Sequence, residues 1–318
     1  MKRGVLFMMA VVLAIGGGAT PHYDPHRDGA QADLLIRVLD ELGMPVANVA
    51  VKVSFALGPM DGTDISGTTN SEGYFGAKHE TTGSIWIVAE KDGYYRTRLH
   101  IDAQKLPYDS VTRTQAWSTG PDEIAVLLKT IRNPVRLAFH REHYKPFPAT
   151  NKVLKFDLEL TDWCPPYGTG VHDDIHLLFD SWKNPEEWAE FHHNLLIVFP
   201  REGDGFYAVD IDSANAASRF PYVYRADSGH ELSKKLELRF ARTPTEINER
   251  VALDPNVYLI YRIRSVRDAE GNILHAHYGR IEEGLSQLIG LTIGNWFNPN
   301  DNDTNLECTS GVGGAQLH

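Results

Sequence analysis

Cysteine is scarce in this sequence, with two residues, Cys164 and Cys308, in a chain of 318. A framework of several disulfides is therefore excluded, and the fold must depend on a hydrophobic core, which a chain of this length can build. In an oxidising compartment the two cysteines can form one disulfide. The alternative is two separate buried thiols, and sequence spacing does not decide between them.

The sequence also has fewer basic than acidic residues. Asp and Glu number 42 against 31 for Lys and Arg, which gives a formal net charge of -11 at pH 7. Such a field repels a polyanion unless a local basic cluster reverses it, and the sequence has no cluster of this kind. We therefore expect no nucleic-acid partner and no docking on an anionic membrane surface.

The common catalytic signatures are missing. The sequence contains neither the His-Glu-x-x-His of zinc peptidases nor the Gly-x-Ser-x-Gly of α/β-hydrolases. Gly62 and Gly67 have the spacing of a phosphate-binding loop, but Thr68 replaces its lysine. A glycosidase with paired carboxylates stays open, because its two acids can lie anywhere in the sequence.

Long apolar runs are missing except at the N-terminus. Lys2 and Arg3 precede the apolar run Val5–Ile15, and small residues follow up to Ala19. This is the pattern of a signal peptide over residues 1–19, and the run is shorter than the ~20 residues of a spanning helix. The alternative is a retained anchor. We expect a secreted, periplasmic or cell-surface protein with no membrane span in the mature chain.

After a polar segment over residues 20–32, predicted to be a flexible leader, alternating apolar residues predict β-strands. Val51, Val53 and Phe55 alternate with Lys52 and Ser54, and successive side chains of a strand point to opposite faces. Turn residues separate several such stretches, which is typical of a sandwich.

The turns of this region carry an ordered set of residues. They are Val38, Asp40, Gly43, Pro45, Val46, Val49 and Val51, then Thr69, Asn70, Gly73 and Phe75, then Val88, Ala89, Gly93 and Tyr94. In this order they resemble the carboxypeptidase regulatory-like domain, a small immunoglobulin-like or transthyretin-like β-sandwich, over about residues 33–130. The resemblance implies an accessory module and no chemistry of its own.

A second β-rich domain is predicted over residues 151–308, after a linker over residues 131–150. Alternating apolar residues mark its strands, Pro185 can begin a short helix over residues 185–191, and residues 309–318 are a polar tail predicted to be disordered. The predicted fold class is mostly β, with the immunoglobulin-like or transthyretin-like sandwich followed by a second sandwich-like domain with few short helices.

The second region resembles a group of secreted bacterial proteins that carry the same module, and this resemblance implies no activity. The residues that carry it are Asp162, Trp163, Pro165, Pro166, Tyr167, Gly168 and Gly170, then Tyr261, Arg262, Arg264, Val266, Asp268, Gly271 and Asn272, then Tyr278, Gly279 and Ile281, then Phe297, Asn298, Pro299, Asn300, Asn302, Asp303 and Asn305.

Two polar clusters are candidate metal sites. On one strand, His172, Asp174 and His176 would face the same side and could bind zinc. Asp301 and Asp303 lie in an Asn- and Asp-rich segment that could bind calcium. The alternatives are a solvated loop for the first cluster and a hydrogen-bonded turn for the second, so no cofactor is firmly predicted.

Aromatic residues are the candidates for ligand stacking. Trp163 and Tyr167 lie close to two further tryptophans, Trp182 and Trp188, in the sequence. Exposed rings of this kind can stack on a glycan or a peptide, whereas buried rings fill a core.

The leading hypothesis is an exported, non-catalytic β-sandwich protein with an accessory, adhesion or ligand-binding role, carbohydrate among the ligands. One alternative is a metal- or carboxylate-dependent hydrolase in the second domain. Another is a calcium-stabilised surface protein. The expected partner is a glycan or a protein, and the sequence leaves the oligomeric state open.

Overall fold

The computed structural model describes residues 24–58, 61–102, 123–187, 190–243, 249–286 and 290–308. The predicted signal peptide and the predicted tail lie outside the described residues. The predicted class, mostly β with few helices, is confirmed, since the described residues form eighteen strands and one helix. The helix α1 spans Pro25–Asp28, and the strands are β1 Ala30–Asp40, β2 Ala50–Ala56, β3 Gly62–Thr68, β4 Tyr74–Thr81, β5 Ser84–Glu90, β6 Thr97–Asp102, β7 Ile124–Leu128, β8 Ala138–Lys145, β9 Val153–Asp157, β10 Asp162–Trp163, β11 Ile175–Lys183, β12 Phe191–Val198, β13 Gly205–Asp210, β14 Lys235–Arg242, β15 Glu249–Val251, β16 Val257–Arg267, β17 Ile273–Ser286 and β18 Leu291–Phe297.

The first domain packs a three-stranded sheet against a four-stranded sheet. Their orders are β4-β1-β7 and β3-β2-β5-β6, and β1 pairs with β7 in the parallel sense. In β1 buried and exposed residues alternate from Ala30 to Val38, so one face of the strand enters the core. The core side chains include Leu34, Ile36, Val53, Phe55 and Ile87, and full burial of such a side chain contributes about 1.5–3 kcal/mol.

The second domain packs a six-stranded sheet against a five-stranded sheet. The orders are β10-β9-β11-β12-β14-β15 and β13-β16-β17-β18-β8. Buried residues of both sheets, such as Phe156, Leu177, Leu195, Ile263 and Ile293, form one core cluster. No helix among the described residues is long and apolar enough to cross a membrane.

Three predicted boundaries differ from the structure. β1 begins at Ala30, inside the predicted leader. The predicted linker contains β8, an edge strand that pairs with β18. Buried and exposed residues do not alternate along β8, so the sequence pattern did not indicate a strand there. The predicted helix over residues 185–191 is wrong for its described residues, because the Asn184 side chain accepts a hydrogen bond from the Glu186 amide and forms a turn.

A different turn, common to three places in the chain, occurs after Asp40, after Asn70 and after Asp268. In each, the side-chain oxygen of the first residue accepts a hydrogen bond from the amide four residues later. The fourth residue is a glycine with positive φ, 75° at Gly43 and 80° at Gly73. Glycine adopts this backbone conformation without the steric penalty that a Cβ imposes.

The two domains are joined by direct backbone pairing. A segment of the second domain lies along β6, where the Arg219 amide donates to the Arg96 carbonyl and the Arg98 amide donates to the Ala217 carbonyl, both at 2.8 Å. Thr97 and Ser218 form the antiparallel bridge between these bonds. The segment thus covers the start of an edge strand that would otherwise expose unpaired backbone groups.

A buried carboxylate holds the other side of this junction. Glu307 is 1% exposed and accepts hydrogen bonds from the Tyr95 hydroxyl at 3.0 Å, the Arg132 amide at 2.8 Å and the Asn133 amide at 2.7 Å. Burial, followed by the charge of Glu307, raises the pKa of Tyr95, so its hydroxyl stays a donor. The end of the second domain is thereby tied to the first domain and to the connection between them.

Cations and aromatic rings fill the rest of the junction. Lys129 is buried and donates to the Tyr222 carbonyl at 2.6 Å, and burial lowers its pKa. Its ammonium lies 4.7 Å from the ring centre of Tyr224, whose hydroxyl donates to Glu41 at 2.9 Å. Such contacts stabilise a desolvated cation by about 2 kcal/mol.

The turn geometry predicts opposite effects for two alanine substitutions in the first domain. An added Cβ at Gly73 would lie 2.6 Å from the Val38 carbonyl oxygen in a residue with positive φ, whereas at Gly76 no heavy atom lies within 4 Å. Gly73→Ala should lower the free energy of unfolding by about 1–2 kcal/mol or more. Gly76→Ala should leave it unchanged or raise it by about 0.5–1 kcal/mol. Urea denaturation measures both, and equal losses would contradict the turn assignment.

Candidate functional site

The three residues predicted to bind zinc are not assembled as ligands. Asp174 is fully buried, and its two oxygens lie 2.9 Å from Nε and from a terminal nitrogen of Arg264. The His176 Nε2 lies 2.8 Å from Asp173 Oδ1. The expected common face fails because β11 begins at Ile175, so only one member of the set, His176, lies in the strand.

Arg264 binds the carboxylates of this region. It occupies a positive-φ position in the irregular part of β16 and also pairs with Glu159 at 2.7 Å. Burial favours the neutral form of Arg264, but the carboxylates of Asp174 and Glu159 outweigh that effect and raise its pKa. The cluster is a buried ion-pair network that joins β16 to the residues on either side of β10.

The segment predicted to bind calcium is a hydrogen-bonded turn. Asp303 Oδ1 accepts the Asn305 amide at 2.9 Å, and Asn298 donates to the Asp303 carbonyl at 3.1 Å. Asp301 is paired with His275. Because these oxygens already accept protein hydrogen bonds or ion pairs, the alternative of a turn rich in Asn and Asp describes the segment.

Within the part of the chain that the structure describes, no group of three or more His, Cys, Asp or Glu side chains could hold a metal ion. The predicted zinc set at His172, Asp174 and His176 and the predicted calcium set at Asp301 and Asp303 are therefore not formed in the structure.

The two cysteines are separate, buried and free of any disulfide. The Cys164 thiol lies 3.3 Å from the His172 carbonyl, whereas the Cys308 sulfur lies 3.4 Å from a nitrogen of Arg280. Burial raises the pKa of Cys164 to about 11 and also raises that of Cys308. Both thiols are thus protonated near neutral pH, as the alternative of two buried thiols implies.

Of the two residues predicted to stack on a ligand, one is in the core. Trp163 is 4% exposed and packs edge-on against Phe156, with ring centres 5.0 Å apart. Tyr167 is 42% exposed. Trp163 therefore presents no ring face to a ligand, and it fills the space between the sheets as large aromatics commonly do.

Among the described residues of this region, the exposed tryptophan is Trp182, on the outer face of the six-stranded sheet, whereas Trp188 lies outside the described residues. It is 44% exposed and lies opposite His192 on β12, with the two rings stacked at 5.9 Å and 26°. The His192 Nε2 lies 3.3 Å from Asp180 Oδ2. We call the outward-facing residues Asp180, Trp182, His192 and Asn194 the tryptophan face.

Polar acceptors lie beside the ring. Asp180 and Asn194 are cross-strand partners, and Asn194 pairs in turn with Arg239 on β14. The Asn194 side-chain oxygen is buried and has no hydrogen-bond partner among the described residues. An unpaired buried acceptor of this kind costs about 1–3 kcal/mol.

Inward-facing neighbours hold this part of the sheet in place. Ser181 and His193 are hydrogen-bonded at 2.8 Å on the opposite side of the same two strands. The His193 ring stacks on Phe179 and Phe191, and burial lowers its pKa, so it is neutral at pH 7. The tryptophan face is therefore supported by a fixed, uncharged inner layer.

The alternation of buried and exposed residues along β11 indicates that Trp182 faces outward, unlike the buried Trp163. Ile175, Leu177 and Phe179 face the core, so an even-numbered residue of the same strand, such as Trp182, must face outward. The sequence does not indicate the unpaired side-chain oxygen of Asn194, because its lack of a partner depends on how the neighbouring strands pack around it.

Comparison with known proteins finds no matching family model and no matching curated protein. Among solved structures, the chain is similar to 3-chlorocatechol 1,2-dioxygenase from Rhodococcus opacus, with 12% identity over 33% of this chain and 62% of that chain at a TM-score of 0.27. The chain thus covers less than two thirds of that enzyme.

Two further solved structures match over most of both chains. One is a putative carbohydrate binding protein from Bacteroides uniformis, with 9% identity over 86% of this chain and 98% of that chain at a TM-score of 0.19. The other is BcpA, the major pilin subunit of Bacillus cereus, with 10% identity over 89% and 98% at a TM-score of 0.21. Similarity at this level carries no functional argument for the chain.

The ion-pair network predicts a difference between two neighbouring aspartates. Asp174→Asn removes a charge from a fully buried pair and should lower the free energy of unfolding by about 3–5 kcal/mol. Asp173→Asn acts on a partly exposed pair with Lys155 and should cost less than about 1 kcal/mol. Urea denaturation measures both.

Chelation provides a separate check on the same residues. Because the Asp174 oxygens are held by Arg264, EDTA should leave the melting temperature unchanged. A fall in melting temperature with EDTA that is abolished in Asp174→Asn would contradict this assignment and restore a metal site.

Proposed function

We propose that the protein is an exported, non-catalytic accessory protein that binds neutral glycans on the tryptophan face of its second domain. The observation that carries this proposal is the exposed Trp182 ring on a sheet, beside the partly exposed carboxylate of Asp180. The apolar face of a pyranose ring matches an aromatic ring, and its hydroxyls donate to such acceptors.

The spacing of the residues on this face supports a saccharide ligand. Trp182 and Asp180 are two residues apart on β11, and their cross-strand partners His192 and Asn194 repeat the same spacing on β12. Residues two apart on one strand lie about 7 Å apart, so a sugar ring over Trp182 can also contact the Asp180 carboxylate. Because residues of regular strands supply every contact, little ordering entropy is lost on binding.

Export is the second part of the proposal. Residues 1–19 have the charged start, apolar run and small residues of a cleaved signal peptide. The mature protein would then be secreted, periplasmic or attached to the cell surface, where polysaccharides are accessible. The mass of the protein recovered from outside the cytoplasm tests this, with cleavage after Ala19 as the expected result.

The first domain is proposed to be a carboxypeptidase regulatory-like module that acts as a spacer. Supporting this, the residues on which the resemblance rests form the defining turns, with Asp40 and Asn70 accepting amide hydrogen bonds and Gly43 and Gly73 at positive φ. These residues have structural roles, in agreement with a module that positions its neighbour.

The hydrolase and calcium alternatives have less support. A hydrolase that uses His172, Asp174 and His176 needs a carboxylate with free oxygens, but Arg264 engages both oxygens of Asp174. A calcium-stabilised protein needs Asp301, which is paired with His275. A binding role requires neither residue.

The proposal predicts that Trp182→Ala weakens binding to the best neutral ligand from a glycan array by about tenfold, equal to about 1.4 kcal/mol. Loss of the stacked ring removes apolar contact but leaves the sheet intact, since the residue is exposed. Titration calorimetry measures the affinity.

Trp86→Ala is the matched control for this test. Trp86 also lies on an outer sheet face beside a stacked histidine, His100 at 4.2 Å, but it belongs to the first domain. It should leave glycan affinity unchanged. Equal affinities of wild type and Trp182→Ala, or no array ligand at all, would contradict the proposed function.

A further inference from the structure

A groove of about 730 Å³ lies where the two domains meet. It is distant in the fold from the tryptophan face, since it is formed at the end of the four-stranded sheet of the first domain. Its lining combines that sheet end, the loop after β5 and one arginine of the second domain. The lining includes Asn48, Ala50, Thr68, Glu90, Arg96 and Arg219.

The groove crosses five adjacent backbone segments. Ala50 on β2 pairs with Thr68 on β3 and with Glu90 on β5. Beyond Glu90, Arg96 precedes β6, and the Arg219 amide donates to the Arg96 carbonyl. The small side chain of Ala50 leaves space in the middle of this row, between Thr68 on one side and the arginines on the other. The site is complete only when the second domain is docked.

Arg219 differs from the neighbouring cations because its charged group is not engaged by a described residue. Arg96 is paired with Glu90 at 2.8 Å, and the nearby Lys91 ammonium donates to the Ala47 carbonyl at 2.7 Å. The Arg219 guanidinium is exposed, and no hydrogen bond or ion pair to a described residue engages it. Backbone hydrogen bonds to Arg96 and Arg98 hold the segment that carries Arg219 in place. The planar guanidinium is a fork of donors, which is suited to bidentate binding of a carboxylate.

The polar residues of the lining match a polyhydroxylated ligand, and Tyr94, Tyr95 and Ile131 complete the lining. Thr68 and Asn48 can donate and accept hydrogen bonds, whereas Glu90 and Asp92 can only accept from hydroxyl groups when ionised. Three cations, Lys91, Arg96 and Arg219, outnumber these two acids locally, although the whole chain carries a net charge of -11. The groove is thus a positive site on an acidic protein, lined by partners for hydroxyls.

We propose that this groove binds an acidic sugar, with the Arg219 guanidinium holding its carboxylate and Thr68, Asn48 and the groove acids holding its hydroxyls. A uronic acid unit has this combination of groups. The site is separate from the tryptophan face and does not depend on the function proposed for it.

Titration calorimetry on the mature chain tests the proposal with three probes: trigalacturonate, the corresponding neutral galactose trisaccharide and inorganic phosphate. We expect trigalacturonate to bind, with an affinity that falls as salt is added, and Arg219→Gln to weaken it at least tenfold. Arg136→Gln, at an exposed arginine outside the groove, should leave binding unchanged. Thr68→Val should reduce affinity by a smaller factor.

Three results would overturn the proposal: no trigalacturonate binding by wild type, equal binding by Arg219→Gln, or tighter binding of the neutral trisaccharide or of phosphate than of trigalacturonate. Arg219→Gln keeps the backbone bond to Arg96, so its melting temperature should match that of wild type. Trp182→Ala should not change trigalacturonate affinity, which separates failure at this groove from failure at the tryptophan face.

Discussion

The buried carboxylate of Glu307 is the interaction on which the arrangement of the two domains depends. Taking a carboxylate out of water costs several kcal/mol unless hydrogen bonds replace its hydration. Here a hydroxyl from the first domain and two backbone amides from the connection supply them. Asn305 extends the contact by donating to the Asn133 carbonyl at 2.7 Å. Separation of the domains would break all of these hydrogen bonds at once, so the junction favours a single arrangement.

Two segments without regular secondary structure build this junction. One contains Ser218 and Tyr224, and the other contains Glu307 at the end of the described chain. Between them Arg280 is fully buried, with its charge paired to Glu282 at 2.6 Å and its guanidinium 4.4 Å from the ring centre of Tyr222. Paired charges and rings of this kind are specific in geometry, whereas a purely apolar contact can slide.

A fixed junction gives the two proposed sites a defined relation. The tryptophan face belongs wholly to the second domain, so its shape does not require the first. The groove with Arg219 requires both, because the cation arrives on the segment that pairs with β6. One binding surface is therefore a property of a single sandwich, and the other is a property of the assembled chain.

The amino-acid pattern predicted the local features well. Alternation identified most long strands, and the turns at Asp40, Asn70 and Asp268 could be read from an Asp or Asn followed by glycine three residues later. Predictions from local patterns were wrong where a structure depends on residues that are distant in the sequence. β8 was missed because an edge strand with mixed burial lacks alternation, and the zinc prediction failed because Arg264 is ninety residues from Asp174.

Prediction of the candidate sites was limited by the same cause. Trp182 was visible in the sequence, but its exposure depends on strand parity, whereas Trp163 turns into the core. The groove could not be predicted at all, since the pairing of residues 217–219 with β6 joins positions more than a hundred residues apart and no local pattern encodes it.

Scanning calorimetry of the mature chain, wild type against Glu307→Ala, measures whether this carboxylate couples the two domains. We expect one cooperative transition in wild type, with equal calorimetric and van't Hoff enthalpies, and two separate transitions in the variant as the domains uncouple. Two independent transitions in wild type, both unchanged by Glu307→Ala, would show that the buried carboxylate does not join the domains.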